Sequence, residues 1–487
     1  MLFNSVNFLF FFIIVTGLYF ILPHKYRWVL LLAASCYFYM AFVPVYILIL
    51  GFTILIDYFA GILIEQAEGK TRKTFLFCSL AANIGILAVF KYYNFINDGI
   101  SALFRQAGHN THLSYLSILL PIGLSFHTFQ AMSYTIEVFR GKQKAERHFG
   151  IYALYVMFYP QLVAGPIERP QNLLHQFYEK HYIEYKRMSD GLKLMGWGLF
   201  KKIVIADRLG ILVDNVYNDP YHHHGLSFVI ATVFFAVQIF CDFSGYSDMA
   251  IGIAKVMGFN LMRNFNSPYH AKTIKEFWGR WHISLSTWFK DYVYIPLGGN
   301  RVPVNRWCFN ILVVFLISGL WHGASLTFVV WGALHGCYFI FGELTQKVRV
   351  RMSNFIGLNK IPRFHNMLQT LVTCALVCLA WVFFRAKSIG VALYVIRSML
   401  LSTGTDILNL VYHHPSTLNL GLMGTELLIA LASIVFLEIV HLLQSRMNLM
   451  ETLRKQPFLL RWGIYYIFLV VLVLYSVASR QFIYFQF

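Results

Sequence analysis

The stretch that decides the fold runs from Phe277 to Asn300 and reads FWGRWHISLSTWFKDYVYIPLGGN. It places Arg, Lys, His and Asp side chains in a chain that is 58% hydrophobic and only 13% charged. Soluble domains carry about 25% charged residues, so this composition is typical of a membrane protein. A charge at the bilayer centre costs about 2.5–3.5 kcal/mol, so these side chains should face a protein-lined cavity. Pro296, Gly298 and Gly299 predict a broken helix, which membrane depth tolerates only along such a cavity.

Apolar runs flank this stretch, and several approach the length that a helix needs to cross about 30 Å of hydrocarbon. The clearest runs are Val6–Leu22, Trp28–Phe42, Val45–Leu63, Thr74–Phe90 and Trp462–Ala478. With the weaker runs we count about eleven membrane segments, some of them re-entrant. The first run lacks a basic flank and a cleavage site, so we interpret it as a retained helix. The sequence predicts an all-α integral membrane protein in which residues 1–487 form a single polytopic domain.

The orientation in the membrane is predicted from the Lys and Arg content of the loops. The basic loops are His24–Arg27, Gly69–Lys73, Arg140–Arg147, Lys347–Arg363 and Arg446–Arg461. The connections Phe42–Val45 and Ser402–Gly424 contain no Lys or Arg. Because basic loops face the cytoplasm, both the N-terminus and residues 481–487 are expected on the external side. The net charge of +18 is then positive-inside charge and does not indicate nucleic-acid binding.

Two aspartates lie six positions apart in a Gly- and Ser-rich stretch, FCDFSGYSDMAIGIAKVMGF at residues 240–259. Asp242 and Asp248 need polar partners if they lie within the membrane. We interpret them as structural partners of Arg280 or Lys290, with a direct chemical role as the alternative.

Three histidines lie beside tryptophans in apolar surroundings. The ordinary interpretation is a buried imidazole that hydrogen-bonds between helices, and it suits His335 well. His322 lies between Gly319 and Gly323, and glycine lets a substrate or another backbone approach closely. A neutral imidazole can take a proton from a hydroxyl and return it to a leaving group. His322 is therefore a candidate base, and the second Trp–His pair, Trp281–His282, strengthens the signal.

A metal site is not predicted. The run His222–His224 follows Asp219 and Pro220, and we interpret it as a solvated loop. The sequence has no His-x-x-x-His or Cys-x-x-Cys spacing that would indicate zinc. It also lacks a phosphate-binding Gly-rich loop and a Gly-x-Ser-x-Gly nucleophile motif.

Six motifs stand out along the chain. They are FLFFF (8–12), LPIGLSFHTFQAMSYTIEVFRG (120–141), FYPQLVAGPIERP (158–170), DFSGYSDMAIGIAKVMGF (242–259), FWGRWHISLSTWFKDYVYIPLGGN (277–300) and GLWHGASLTFVVWGALHG (319–336). Together they resemble the membrane-bound O-acyltransferase (MBOAT) superfamily, in particular the bacterial branch of alginate and peptidoglycan O-acetyltransferase membrane subunits. The teichoic-acid D-alanyl transfer protein belongs to the same branch.

The resemblance implies a ring of tilted transmembrane and re-entrant helices around a central tunnel. It implies that His322 is the essential histidine and that His282 orients it or hydrogen-bonds the acyl carbonyl. Acetyl-CoA is the implied donor substrate, and no permanently bound cofactor is expected. Basic groups could attract the phosphates of the coenzyme, with ordinary positive-inside charge as the favoured alternative for any one of them. These groups are Lys201, Lys202, Arg263 and Lys272.

The last residues, Phe482–Phe487, read FIYFQF. One interpretation is an aromatic anchor at the membrane interface, in contact with lipids. The other comes from the resemblance to a small partner peptide of the D-alanylation system, and it makes Tyr484 a carrier of the acyl group. A separate extracytoplasmic SGNH (esterase-fold) transferase would then move the group to a polysaccharide.

The resulting hypothesis is an O-acyltransferase of the bacterial cytoplasmic (inner) membrane that supplies acetyl groups to an envelope or secreted polysaccharide. One alternative is a lipid or protein O-acyltransferase of the same superfamily. Another is a transporter or flippase, which predicts repeat-related halves with broken helices at matching positions. The sequence shows no such repeat.

Overall fold

Helices make up all regular structure in the computed structural model, which describes residues 1–108, 114–116, 121–412, 420–421, 424–477 and 480–483. Numbered α1 to α20 in chain order, they are Val6–Ile21, His24–Met40, Tyr46–Gln66, Gly69–Gln106, Leu124–Phe139, Phe149–Met157, Pro170–Leu173, Tyr185–Phe200, Asp207–Asn218, Gly225–Met257, Ile274–Arg280, Ile283–Phe289, Val304–His322, Leu326–Leu344, Gln346–Phe355, Pro362–Arg385, Ile389–Val411, Gly424–Arg446, Leu449–Arg454 and Phe458–Tyr475. Two further segments, Lys201–Ala206 and Lys290–Tyr294, are π-helical. The predicted all-α class is confirmed.

Nine of the described helices are long and apolar enough to cross a membrane: α3, α4, α10, α13, α14, α16, α17, α18 and α20. Helix α1 is apolar but has only 16 residues. The protein is therefore a multi-pass membrane protein. In the most apolar 18-residue window of α10, 67% of the residues are buried. In the corresponding window of α20 only 6% are buried. Helix α10 thus belongs to the interior, and α20 presents an apolar surface suited to lipid.

The helix boundaries differ from the predicted apolar runs, most clearly at α4 and α20. Helix α4 has 38 residues and is about 57 Å long, well beyond the predicted run Thr74–Phe90. Helix α20 ends at Tyr475, before the predicted Ala478. The carbonyl of Tyr475, free of a helical partner at this end, accepts a hydrogen bond from Arg208 at 2.8 Å.

Contacts between Cα atoms divide the chain into two compact units. Unit 1 comprises Met1–Gly196 and Tyr246–Arg263, and unit 2 comprises Trp197–Gly245 and Asn264–Phe487. The candidate catalytic histidines both belong to unit 2. The single polytopic domain and the helix ring around a tunnel stay predictions.

Unit 1 contains a buried polar cluster that joins α3, α4 and α5. The carboxylate of Asp57 accepts hydrogen bonds from Ser79 Oγ at 2.6 Å and from Asn83 Nδ2 at 2.8 and 3.0 Å. Ser79 Oγ also lies 3.1 Å from Thr135 Oγ1 on α5. These neutral partners satisfy a carboxylate that is fully buried in the apolar helix α3.

In unit 2, α13 and α14 form a hairpin whose backbones meet at glycines. A Cβ atom on Gly319 would lie 2.3 Å from the carbonyl of Phe328, and one on Gly332 would lie 2.3 Å from that of Phe315. Gly319 thus admits a neighbouring backbone, which was one of its two predicted roles. This close contact fixes the end of α13, where His322 lies.

The helix break predicted at Pro296, Gly298 and Gly299 is confirmed. The π-helical segment Lys290–Tyr294 leads into turns in which Gly298 and Gly299 have φ of 107° and 58°. Asn310 on α13 donates to the carbonyls of both Leu297 and Gly299, at 3.1 and 3.3 Å. Its amide therefore replaces hydrogen bonds that the broken helix cannot make.

Candidate active site

His322 is the last residue of α13 and is buried among aromatic rings. Its ring centroid lies 4.8 Å from that of Trp321, 5.0 Å from that of Trp331 and 5.4 Å from that of Phe384. These buried aromatic surroundings strengthen polar interactions of the imidazole. The position suits the base that the sequence predicted.

His282 occupies the turn between two helices of seven residues, α11 and α12, and none of its surface is exposed. Its φ of 43° is left-handed, a conformation that costs a non-glycine residue about 1–2 kcal/mol. Two backbone hydrogen bonds hold the turn: Ser286 N–H donates to His282 O, and Ile283 N–H donates to Asn264 O, both at 2.9 Å. These hydrogen bonds hold the backbone of His282 in its strained conformation.

The side chain of Asn264 fixes the tautomer of His282. Asn264 Oδ1 accepts from the N–H and the Oγ of Ser284, at 3.2 and 2.9 Å, which assigns this atom as oxygen. His282 Nδ1 lies 3.2 Å from the same oxygen, so Nδ1 carries the proton. In the neutral ring Nε2 is then an acceptor. His282 is thus suited to receive a proton or hydroxyl hydrogen bond, and less suited to the predicted donation to an acyl carbonyl.

Trp321 is a neighbour of both candidate catalytic histidines. Its ring centroid lies 4.8 Å from that of His322 and 6.2 Å from that of His282. The structure therefore brings two residues that are forty positions apart in sequence to the same indole. Tyr484, the third candidate catalytic residue, lies outside the described residues.

His335 has the structural role that the sequence predicted. Trp278 Nε1 on α11 donates to His335 Nδ1 on α14 at 3.3 Å, and both residues are buried. The hydrogen bond ties the broken-helix stretch to the α13–α14 hairpin. The interpretation of His335 as an interhelical hydrogen-bonding residue is confirmed.

A buried ion cluster lies between the π-helical segment 201–206 and α10. Lys202 Nζ lies 2.6 Å from Asp242 Oδ1 and 2.8 Å from Asp207 Oδ1. Lys202 is only 5% exposed, and the adjacent Lys201 is also buried and donates to Ser244 Oγ at 2.9 Å. Both ammonium groups are therefore buried, which does not support the suggestion that they attract coenzyme phosphates.

The predicted partners of Asp242 were wrong. Arg280 pairs instead with Glu276, one turn earlier on α11, at 2.6 Å, and Lys290 lies 3.8 Å from the carboxylate of the next residue. Local carboxylates satisfy both cations, whereas Asp242 faces the π-helical segment. Asp248 is half-buried, and its expected pairing stays a prediction.

The residues that follow α20, here called the tail segment (476–477 and 480–483), enter the interior of unit 2. Ile483 N–H donates to Asp242 Oδ2 at 2.7 Å. Phe482 is 1% exposed and its ring centroid lies 5.6 Å from that of Phe243. Phe243 in turn lies 4.6 Å from the ring of His282. The tail segment therefore reaches the surroundings of a candidate catalytic histidine.

Upstream contacts hold the same segment. Val477 N–H donates to the carbonyl of Ile203, within the π-helical segment, at 3.2 Å. Arg480 pairs with Asp214 on α9, and the other oxygen of that carboxylate pairs with Arg385 at 2.6 Å. The tail segment is thus anchored at both ends of its described length.

A cavity of about 840 Å³ opens between the end of α14, α15 and the start of α16. Its walls include the basic residues Lys272, Lys275 and Arg349. Most of helix α15 lies in the basic stretch Lys347–Arg363, which the charge pattern predicts to be cytoplasmic. The volume suits a large organic ligand.

Aromatic rings on α14 connect this cavity with His322. Tyr338 lines the cavity, and its ring lies 6.1 Å from that of His335. The His335 ring lies 5.0 Å from Trp331, which contacts His322 at 5.0 Å. Tyr338 and Trp331 are seven residues apart, or about 10 Å along the helix.

Within the described part of the chain, no group of three or more His, Cys, Asp or Glu side chains is arranged to hold a metal ion. His222 is exposed, and Asp219 beside it raises its pKa, as suits a solvated loop. His223 is buried, however, and His224 pairs with Asp406 at 3.0 Å. The prediction of a solvated loop was therefore right for His222 and wrong for His223.

The pairing of Lys202 with two buried carboxylates and the buried polar cluster around Asp57 were not predicted from the sequence. A lone Asp in the apolar run of α3 was a usable signal, because an ionisable residue in a membrane helix needs a partner. Lys202 and Asp207, five positions apart in an apolar segment, were a second usable signal, in this case for an internal ion pair. Nothing local indicated that Asp242 would complete that pair.

A family model for MBOAT, the membrane-bound O-acyltransferase family, matches residues 142–384. The chain is 38% identical over 396 residues to the probable alginate O-acetylase of Pseudomonas aeruginosa, covering 80% of this chain and 73% of the relative. It is 35% identical over 452 residues to the peptidoglycan O-acetyltransferase of Helicobacter pylori, covering 84% and 82%. It is 25% identical over 338 residues to the teichoic acid D-alanyltransferase of Bacillus subtilis, covering 65% and 80%.

The matched segment, residues 142–384, contains the helix break with His282, the α13–α14 hairpin with His322 and the shared Trp321. Identity of 35–38% extends over about four fifths of the chain. The chain therefore belongs to the membrane-bound O-acyltransferase family and is an O-acyltransferase.

Proposed function

We propose that this enzyme takes an acetyl group from cytoplasmic acetyl-CoA and passes it across the bacterial cytoplasmic membrane for O-acetylation of an envelope or secreted polysaccharide. The names of two relatives, an alginate O-acetylase and a peptidoglycan O-acetyltransferase, support acetyl as the group and a polysaccharide as the acceptor. The multi-pass architecture supports transfer across a membrane.

The observation that carries the proposal is the pair of buried histidines around Trp321. Acyl transfer from a thioester needs a base for the attacking hydroxyl and polar groups for the developing oxyanion. His322 is the proposed base. His282, whose Nδ1 is held by Asn264, lies beside the same indole and is the proposed orienting residue.

The proposed acyl transfer is balanced in atoms and charge and needs no oxidant or reductant. A hydroxyl oxygen attacks the thioester carbonyl, and a C–O bond forms as the C–S bond breaks. The hydroxyl proton passes to His322 and then to the departing thiolate. A tyrosine ester is a suitable intermediate, because phenolate (pKa about 10) leaves more readily than a sugar alkoxide.

The cavity at the end of α14 supports an acyl-CoA donor. Its basic wall, with Lys272 and Arg349, suits phosphates, and its volume of about 840 Å³ suits a bulky nucleotide. A donor bound there would extend its acyl arm along the Tyr338–Trp331 face of α14 toward His322. The proposed donor side is the cytoplasmic one, with both chain ends on the external face.

The course of the tail segment supports Tyr484 as the first acyl acceptor. An anchor in the lipid interface would expose its aromatic side chains. Phe482 and Ile483 are instead 1% and 5% exposed. In the proposed relay, a hydroxyl of the polysaccharide then attacks the Tyr484 ester, assisted by an extracytoplasmic SGNH transferase, and the phenol is regenerated.

The first experiment tests His322. His322→Ala should lower thiol release from acetyl-CoA by about 100-fold or more in proteoliposomes, because a positioned base contributes about 10²–10⁴-fold. His441→Gln is the control, since this buried histidine pairs with Glu438 on α18 and should stay within about twofold of wild type. Retained activity in a folded His322→Ala enzyme would remove His322 from the mechanism.

The second experiment tests the relay. Tyr484→Phe should abolish polysaccharide acetylation in cells, because phenylalanine has no oxygen to carry the acyl group. Mass spectrometry of the wild-type enzyme should show an acetyl ester on Tyr484 after incubation with acetyl-CoA. Unchanged acetylation in Tyr484→Phe would refute the relay and leave direct transfer to a polymer, lipid or protein.

A further inference from the structure

One carboxylate of unit 2 has its two oxygens committed to different parts of the chain. Asp242 Oδ1 faces the ammonium group of Lys202 at 2.6 Å, and Oδ2 accepts the backbone N–H of Ile483 at 2.7 Å. A hydrogen bond from a backbone N–H to an ionised carboxylate is about twice as strong as one between neutral groups. This bond is buried, and it joins residues that are 241 positions apart.

The surroundings of Asp242 hold it in one orientation. Lys202 also contacts Asp207 at 2.8 Å, so one cation lies between two carboxylates. The Asp242 oxygen that does not face Lys202 accepts the Ile483 N–H. Lys202 belongs to a π-helical segment, closed by a hydrogen bond from the Asp207 N–H to the Lys202 carbonyl. Such segments occur frequently at functional sites.

The clamped residue adjoins both the candidate active site and the proposed acyl carrier. Phe482 packs on Phe243, which packs on the ring of His282. Tyr484 follows Ile483 in the chain, and consecutive Cα atoms are about 3.8 Å apart. A fixed Ile483 therefore confines where the phenol of Tyr484 can act.

We propose that Asp242 is a positioning residue, whose carboxylate clamps the backbone of Ile483 so that Tyr484 is presented to the acyl group. The inference rests on the proposed relay function. The clamp makes the tyrosine an intramolecular acceptor at high effective concentration, which is a large source of rate in acyl transfer. Lys202 and Asp207 act through Asp242, by holding its carboxylate.

Hydrogen–deuterium exchange of purified full-length protein tests the clamp directly. In the wild type, the Ile483 amide should exchange slowly. Asp242→Leu should speed its exchange by about 10- to 100-fold, because the acceptor is removed. Asp242→Asn keeps an acceptor oxygen, so its Ile483 exchange rate should lie between those of the wild type and Asp242→Leu. If Asp242→Leu does not fold, the comparison of Asp242→Asn with the wild type decides the test. Ser244→Ala, which removes the acceptor of Lys201 on the same helix, should leave the amide protected.

Kinetics test whether the clamp positions the acceptor. Asp242→Leu should lower kcat for acetyl-CoA turnover by about tenfold or more with KM unchanged, and should lower the yield of acetyl-Tyr484. Asp242→Asn should restore part of kcat. A purely structural defect would instead scale with the folded fraction, which size-exclusion chromatography measures, and would leave kcat per folded molecule unchanged.

The outcomes separate this inference from the proposed function. Equal exchange at Ile483 in wild type and Asp242→Leu, or full acetyl-Tyr484 yield in Asp242→Leu, would overturn the positioning role even if Tyr484 carries the acyl group. Full polysaccharide acetylation by Tyr484→Phe would overturn the relay, and with it the purpose of the clamp, even if the exchange result holds.

Discussion

The two units each bury an aspartate on a membrane-spanning helix, and they satisfy it in different ways. Asp57 on α3 accepts hydrogen bonds from the neutral side chains of Ser79 and Asn83, both on the next helix. Asp242 on α10 faces the cation of Lys202 and a backbone N–H from the far end of the chain.

The Asp57 cluster packs neighbouring helices together, whereas the Asp242 cluster joins segments that are distant in the sequence. Neutral donors on adjacent helices tie α3 to α4, and each bond contributes about 0.5–1.5 kcal/mol. An ion cluster is costly to bury unless every member is satisfied, so breaking it has a larger effect. The ionic cluster is the one that lies next to the candidate active site, and it holds a distant segment in place.

The largest effect is expected at Lys202. Lys202→Met removes the cation that faces two buried carboxylates, and loss of one partner of a buried ion pair costs about 3–5 kcal/mol. We expect a marked fall in the thermal unfolding midpoint of the detergent-purified protein. The adjacent Lys201→Met should cost about 1 kcal/mol, because that ammonium group donates to a neutral hydroxyl. Equal losses in the two variants would contradict the ionic description.

An intermediate effect is expected at Ser79. Ser79→Ala removes the 2.6 Å hydrogen bond to Asp57 and should cost about 1–2 kcal/mol in the same thermal assay. Thr74→Ala, on the same helix, removes an exposed 3.2 Å bond to the carbonyl of Lys70 and should cost no more than about 0.5 kcal/mol. Thiol release from acetyl-CoA should stay within about twofold of wild type in both folded variants. A large loss of turnover in Ser79→Ala would give the unit 1 cluster a functional role.

The smallest effect is expected from Asp57→Asn. Among the described residues, Asn83 Oδ1 is buried without a hydrogen-bond partner, so it can accept from the new amide once the Asn83 side chain turns. We expect a loss of no more than about 1 kcal/mol in the thermal assay. Asp242→Asn should cost more, because it leaves Lys202 with one carboxylate fewer. A larger loss at Asp57 than at Asp242 would reverse the comparison between the two clusters.

Features encoded over short stretches were predictable from the sequence. Pro296 with Gly298 and Gly299 indicated the helix break, and the residue pattern around His335 indicated an interhelical hydrogen bond. The family motifs indicated His322 and His282, and the structure places both beside Trp321. Each of these follows from local backbone chemistry or from a contiguous motif.

Other features depend on partners that are distant in sequence. Asp242 and Lys202 are forty positions apart, and Asp242 and Ile483 are 241 apart, with no periodic signal to connect them. The left-handed backbone of His282 was equally hidden, because nothing in the residue type marks a positive φ. Helix α4 exceeded its predicted length because hydropathy ends at the polar residues while helical hydrogen bonding continues through them.

The hydrogen bond between Ile483 and Asp242 also bears on how the protein is made. At about 5–20 residues per second, a ribosome needs about 10 to 50 s to travel from residue 242 to residue 483. During that interval Lys202, Asp207 and Asp242 are already synthesised, but the amide that completes the cluster does not yet exist. The active-site surroundings are therefore completed late in synthesis, and a nascent chain that stalls before α20 lacks the clamp.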